Sequence, residues 1–142
     1  YTEDPGEWER LLARLKTKFE TARNMLPPPS IEKMEGAKIG IIAFGSTDPA
    51  IQEARHYLAQ AGMPTDYLRV RSIPFQAQVA EFVRQHERTY VVELNRDGQL
   101  HQLLTLEVPD QALSLISLAH IDGLPLTAQW VVNALRKVEE SR

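Results

Sequence analysis

Between residues 38 and 138 the sequence switches its hydrophobic period several times, and this alternation constrains the fold more than any other feature. Lys38-Ile39-Gly40-Ile41-Ile42-Ala43-Phe44 is a short, nearly continuous apolar run, the pattern of a strand covered on both faces. Gly45-Ser46-Thr47 supplies a turn, Asp48 reads as a helix N-cap and Pro49 as the first helical residue. Ile51, Ala54, Leu58 and Ala61 then form a helical stripe that Gly62 and Pro64 end. The cycle repeats. Residues 66–71 predict a second strand, and Phe75, Val79, Phe82, Val83 and His86 a second helix. Residues 89–94, β-branched and aromatic, predict a third strand, and Leu100, Leu103 and Leu104 a short helix. Periodicity does not separate strand from helix over residues 112–118, and the preceding alternation selects a strand. Thr127 caps a last helix carrying Val131, Ala134, Leu135 and Val138. Four β/α units predict a three-layer α/β/α, doubly wound domain with a mainly parallel sheet and right-handed crossovers.

Upstream, Trp8, Leu11, Leu12, Leu15, Phe19 and Ala22 recur at helical spacing, and Pro27-Pro28-Pro29-Ser30 ends the pattern. Residues 1–37 are therefore expected to form a lead-in helix and a stiff linker, and residues 38–142 the compact domain. A chain of 142 residues fits one such domain. With 16 Lys+Arg against 19 Asp+Glu and no basic stripe, no nucleic-acid partner is expected. The absence of cysteine removes thiolate ligation of iron–sulfur clusters and zinc, cysteine nucleophiles and disulfides, and suits a reducing compartment. No apolar run approaches the ~20 residues of a membrane span, so no membrane partner and a cytoplasmic location are expected. The chain opens on Tyr1 rather than Met, as a piece of a longer protein would.

Most familiar catalytic patterns are missing. Gly40 to Gly45 has the outer spacing of a phosphate loop, but Ser46-Thr47 stands where Lys-Ser/Thr is required. No G-x-G-x-x-G follows the first strand, and no G-x-S-x-G surrounds Ser46. His56, His86, His101 and His120 form no metal-binding spacing. Catalytic and metal-binding residues are thus expected to be none. Asp97-Gly98 and Asp122-Gly123 lack the preceding Gly of the G-D-G motif that holds magnesium and diphosphate in thiamine enzymes.

Three polar clusters fall at predicted carboxyl ends of strands, where open α/β sheets bind ligands. Gly45, Ser46 and Thr47 open a helix and form either a turn with its cap or an anion site. Arg69 and Arg71, two apart on a strand, form either a pair of guanidinium forks on one side or solvated edge charges. Ile73-Pro74-Phe75 follows them as a shaped surface. In Glu93-Leu94-Asn95-Arg96-Asp97-Gly98-Gln99, turn and cap duty accounts for Asp97, Gly98 and Asn95 but not for Glu93 or Gln99.

These clusters carry a resemblance. Phe44-Gly45-Ser46, Glu53-Ala54, Leu68-Arg69-Val70-Arg71 with Pro74-Phe75, the stretch from Val92 through Glu93, Asn95, Asp97, Gly98 and Gln99 to Leu100, and Asp122-Gly123-Leu124-Pro125-Leu126-Thr127-Ala128 resemble the C-terminal domain of the α subunit of 2-oxoacid:ferredoxin oxidoreductases. The Trp8 helix and its prolines resemble the segment leading into that domain. The resemblance covers essentially the whole chain, and E-x-N-x-D-G-Q-L is its most specific part. It implies a transketolase C-terminal-like fold and a parent enzyme that oxidatively decarboxylates a 2-oxoacid with thiamine diphosphate and coenzyme A. That parent would yield acyl-CoA, carbon dioxide and reduced ferredoxin. It further implies that thiamine diphosphate, Mg and iron–sulfur clusters lie elsewhere in the complex and that this domain binds none of them. Its partners would be the remaining domains of the α subunit and a β subunit, with ferredoxin and CoA met through the complex. Ser46, Arg69, Arg71, Phe75, Glu93, Asn95, Gln99 and Asp122 are then the candidate interface or ligand residues, and Gly45, Ser46 and Thr47 the anion-binding candidates. A regulatory domain binding a small anion or nucleotide is the alternative. A receiver-like signalling domain fits poorly, because the first strand is followed only by Asp48 as an acidic residue.

Overall fold

The structure is a computed structural model that describes residues 3–142. Helix α1 (Pro5–Met25) starts where the Asp4 carboxylate accepts from Glu7 N at 3.1 Å and stops ahead of the three prolines. None of its 21 residues is buried. Among the described residues, its side-chain ties to the body are at its C-terminal end, through Arg23 to Glu107 at 3.1 Å and through the carbonyl of the capping Leu26, which accepts from the Gln76 amide.

The segment read as linker contributes an element that sequence patterning did not reveal. Ser30–Glu32 forms strand β1, antiparallel to strand β3 (Thr65–Val70) at the sheet edge. Three residues carry no readable period. What holds β1 in place is the buried Arg55, which reaches Glu32 Oε2 at 2.8 Å and the Thr65 carbonyl at 3.1 Å. A buried guanidinium needs such a carboxylate, and the added strand closes an edge that would otherwise be open.

The remaining order follows the expected alternation. Strand β2 (Ile39–Phe44), helix α2 (Asp48–Gln60), β3, helix α3 (Ala77–Arg84), strand β4 (Arg88–Glu93), helix α4 (Gln99–Glu107), strand β5 (Leu115–Ala119) and helix α5 (Ala128–Glu140) succeed one another. The strand order is β1-β3-β2-β4-β5, parallel throughout except for β1. Alternating strand residues divide between two cores. Ile39, Ile41, Ala43, Tyr67, Tyr90 and Val92 pack under α2 and α5, while Ile42, Leu68, Val70 and Val91 pack under α3 and α4. The fold is the expected three-layer, doubly wound one. Gly40 lies beneath the second layer, where a Cβ would stand 2.7 Å from Phe82 Cε1. The approach leaves room for the buried His86 ring, whose nitrogens contact the Phe82 carbonyl at 2.6 Å and Asp66 Oδ2 at 3.0 Å.

Two local expectations change. Asp48 is the first residue of α2 rather than its cap, because its carboxylate is turned toward Tyr67 and Arg69. Residues 109–114 form a 3-10 helix, and the ambiguous run becomes a strand only from Leu115. Thr127 does cap α5, accepting from Trp130 N at 3.2 Å.

Candidate functional site

All four parallel strands end at one edge, and the residues singled out in the sequence follow them there. Chain order reverses between β2 and β4, each of which turns into its helix on a different face, so this edge is also the switch point of the sheet.

Glu93 ends β4 with its side chain fully buried. Its Oε2 accepts from Leu100 N at 2.8 Å and Asn95 Nδ2 at 2.6 Å, and its Oε1 accepts from His101 N at 3.1 Å. The carboxylate therefore occupies the N-terminus of α4 from inside, satisfying amides that no earlier helical turn can reach. Asn95 Oδ1 accepts from Asp97 N at 3.1 Å and Gly98 N at 2.8 Å, which folds the loop over that carboxylate. Gly98 has φ +64°, and a Cβ there would stand 2.8 Å from Ser117 Oγ. Leu100 enters the core, and Asp97 pairs with Arg96 at 2.7 Å. The E-x-N-x-D-G-Q-L stretch is thus a self-satisfied strand–loop–helix junction, in which the side-chain amide of Gln99 is left facing outward.

At the β2–α2 corner, Thr47 is buried and donates to the Phe44 carbonyl at 2.6 Å, while Ser46 is exposed. Arg69 bonds the Gly45 carbonyl at 3.3 Å and pairs with Asp48 Oδ2 at 3.3 Å. Tyr67 donates to Asp48 Oδ1 at 2.9 Å. Burial, aided by that carboxylate, pushes the Tyr67 phenol well above its ordinary range. The two arginines therefore do not act as a matched pair. Arg69 braces the corner, whereas Arg71 lies beyond the end of β3, exposed and without a hydrogen bond or ion pair among the described residues. Phe75 is core, not surface. Asp122 lies beyond β5, accepting from Leu124 N at 2.9 Å and meeting His120 at 3.1 Å. The Leu124 amide, with help from His120, holds its carboxyl below the usual range despite some desolvation. His120 in turn stacks on Trp130 with centroids 4.4 Å apart.

Between the ends of β2 and β3 and the start of α4 lies a cavity of about 550 Å3. Phe44, Gly45, Arg71, Ile73, Gln99 and Leu103 are among its lining residues. Of these, Gly45, Arg71 and Gln99 were candidates from sequence. Leu103 was read only as part of a helical stripe; it lies one turn along α4 from Leu100, which also lines the cavity, but stays exposed where Leu100 and Leu104 are buried, a difference visible only once the sheet position is known. Among the described residues, no group of three or more His, Cys, Asp and Glu side chains is placed to hold a metal ion. No helix among them is long and apolar enough to cross a membrane.

No protein-family model matches the chain. A curated relative, 2-oxoacid:ferredoxin oxidoreductase 2, subunit alpha, from Aeropyrum pernix, is 30% identical over 145 aligned positions. The alignment takes in 99% of this chain and 22% of that protein, so the chain spans about a fifth of the relative's length. Among solved structures, 2-oxoglutarate:ferredoxin oxidoreductase from Magnetococcus marinus, determined with 2-oxoglutarate, coenzyme A and succinyl-CoA bound, superposes with TM-score 0.79 at 24% identity. That match covers 96% of this chain and 24% of the other. A split-gene transketolase in an inactive β4 tetramer gives TM-score 0.64 at 21% identity, covering 79% of this chain and 43% of that one. The alpha chain of a probable 2-oxoacid ferredoxin oxidoreductase from Thermoplasma acidophilum gives 0.51 at 17%, covering 80% of this chain and 97% of that one. By sequence along nearly its whole length and by its transketolase C-terminal-like fold, the chain matches a small domain of the alpha subunit of 2-oxoacid:ferredoxin oxidoreductase.

Proposed function

We propose that this chain serves as a non-catalytic assembly domain of the α subunit of a thiamine-diphosphate-dependent 2-oxoacid:ferredoxin oxidoreductase. The reaction of the whole would convert a 2-oxoacid, CoA and oxidised ferredoxin into acyl-CoA, carbon dioxide and reduced ferredoxin. The observation that carries this reading is the similarity to the Aeropyrum pernix α subunit along 99% of the chain. The donor set does not suit thiamine diphosphate with magnesium, or an iron–sulfur cluster. There is no cysteine, and the described residues offer no acidic or histidine cluster. On this reading those groups lie in other parts of the complex, together with the sites that meet CoA and ferredoxin, and the complex is cytoplasmic.

What this domain offers instead is surface. Helix α1 exposes Trp8, Leu12, Leu15 and Phe19 at 50%, 54%, 49% and 63% along one stripe. A stripe of that kind on an otherwise unburied helix suits contact with the remaining α-subunit domains or the β subunit. The test is co-expression of complete α and β subunits carrying Leu12→Glu and Phe19→Glu. The expected result is loss of co-elution while the isolated 142-residue chain keeps its melting temperature; unchanged assembly would count against the reading.

A further inference from the structure

The cavity at the switch point has a composition that neither the assembly role nor the internal bonding of the junction explains. Its volume of about 550 Å3 lies in the ordinary size range of small-molecule pockets. The side chains that could have closed it are already used elsewhere: Arg69 on Asp48, Glu93 on the α4 amides, Thr47 on the Phe44 carbonyl. Arg71 is not. Among the described residues eight other arginines pair with a carboxylate, yet Arg71 lines this cavity with no acceptor. No acidic side chain lines it either. Phe44, Ile73 and Leu103 stay 42%, 61% and 42% exposed around it.

The walls are held before any ligand arrives. Ser72 Oγ donates to the Pro27 carbonyl at 2.9 Å, Arg69 holds the Gly45 carbonyl, and Glu93 holds the first turn of α4. A preformed apolar hollow with one unpaired guanidinium and one outward amide selects a particular chemistry. The guanidinium has five donors and no acceptor, and it satisfies them in pairs against a carboxylate or phosphate.

We propose that this cavity binds a small amphipathic oxyanion, a carboxylate or phosphate monoester on an aromatic or branched aliphatic body. The oxyanion pairs with Arg71 and takes a further bond from the Gln99 amide. The apolar body covers Phe44, Ile73 and Leu103. Helix α1, on which the assembly reading rests, contributes nothing to its lining.

The experiment is an amide-resolved NMR titration of the 142-residue chain with four probes: phenylacetate, phenyl phosphate, phenylacetamide and inorganic phosphate. Either aromatic anion is expected to shift the amides of Gly45, Arg71, Ser72, Gln99 and Leu103, and the tighter of the two identifies the anionic group. The isosteric neutral amide is expected to bind at least ~10-fold more weakly, as is either anion to Arg71→Gln, corresponding to about 1.4 kcal/mol. Leu103→Gln, which alters only the apolar wall, is expected to weaken both aromatic anions severalfold. Absence of shifts with every probe, phenylacetamide equal to phenylacetate, inorganic phosphate equal to phenyl phosphate, or unchanged affinity in Arg71→Gln would each overturn the proposal.

Discussion

Replacing Glu93 by Ala separates a residue that builds the fold from one that waits for a partner. The substitution removes one carboxylate that accepts from Leu100 N at 2.8 Å, His101 N at 3.1 Å and Asn95 Nδ2 at 2.6 Å in a fully buried setting. Two backbone donors at the start of α4, Leu100 N in a buried bond and His101 N in a partly buried one, then lose their acceptor. Each buried donor left unpaired costs roughly 1–3 kcal/mol. The two donors together bring the loss to about 2–6 kcal/mol, a large part of the ~5–15 kcal/mol that typically stabilises a domain. Glu93→Gln retains one oxygen, which keeps the Leu100 and Asn95 bonds and strands only the His101 amide, so about 1–3 kcal/mol is expected. Urea unfolding measures both losses, and a constant slope between variants confirms that the change lies in stability. Hydrogen exchange adds the location: the Leu100 and His101 amides should lose protection first. A Glu93→Ala chain within ~0.5 kcal/mol of the parent, with those amides still protected, would refute the cap.

Four further outcomes follow from other parts of the structure. Gly40→Ala forces a methyl to within 2.7 Å of Phe82 Cε1 and 3.1 Å of the His86 ring; overpacking of that kind costs about 1–3 kcal/mol and should lower the midpoint of thermal unfolding. Asp66 is held below the ordinary carboxylate range: burial opposes ionisation, but the Met34 amide, His86 and Lys33 outweigh it. Because its folded value is depressed, its contribution is complete above the unfolded value near 3.8 and fades as pH falls through the lower folded value. Stability measured across the acid range should therefore fall less steeply in Asp66→Asn. Burial, reinforced by Glu139, raises the Tyr90 phenol, as burial and Asp48 raise Tyr67, so both stabilise the fold below their unfolded value near 10 and lose that contribution as pH climbs through the folded one. Absorbance titration should show these two ionising only with alkaline unfolding. Deleting residues 3–21 removes no buried side chain, and the remaining chain should melt within a few degrees of the parent.

The parallel sheet was readable because its evidence is local and repeated. The run at residues 38–44 has too many consecutive apolar residues for a one-sided strand, and each following stripe has the helical period. Thr127 was likewise readable as a cap, since a threonine before a periodic segment acts on amides three residues away. Strand β1 was not, because three residues after a proline run carry no period and their place depends on Arg55, 23 positions away in sequence. Asp48 misled for a related reason: its residue type fits a cap, but Tyr67 and Arg69 on the neighbouring strand compete for its carboxylate.

The candidate site shows the same division. Sequence brought Ser46, Arg69, Arg71, Glu93, Asn95 and Gln99 to the carboxyl edge of the sheet, since strand ends are fixed by composition and spacing. It also marked Glu93 and Gln99 as exceeding the needs of a simple turn. Only the tertiary structure gave them different work: Glu93 turns inward to the α4 amides, Gln99 outward, Arg69 to a corner and Arg71 to a cavity without a partner. The order of elements, the two-sided burial of the strands and the edge where polar residues gather are set by short-range periodicity, which the sequence carries by itself. Which of those polar groups is satisfied and which is left over depends on long-range packing, because a hydrogen-bond partner is chosen by proximity in space.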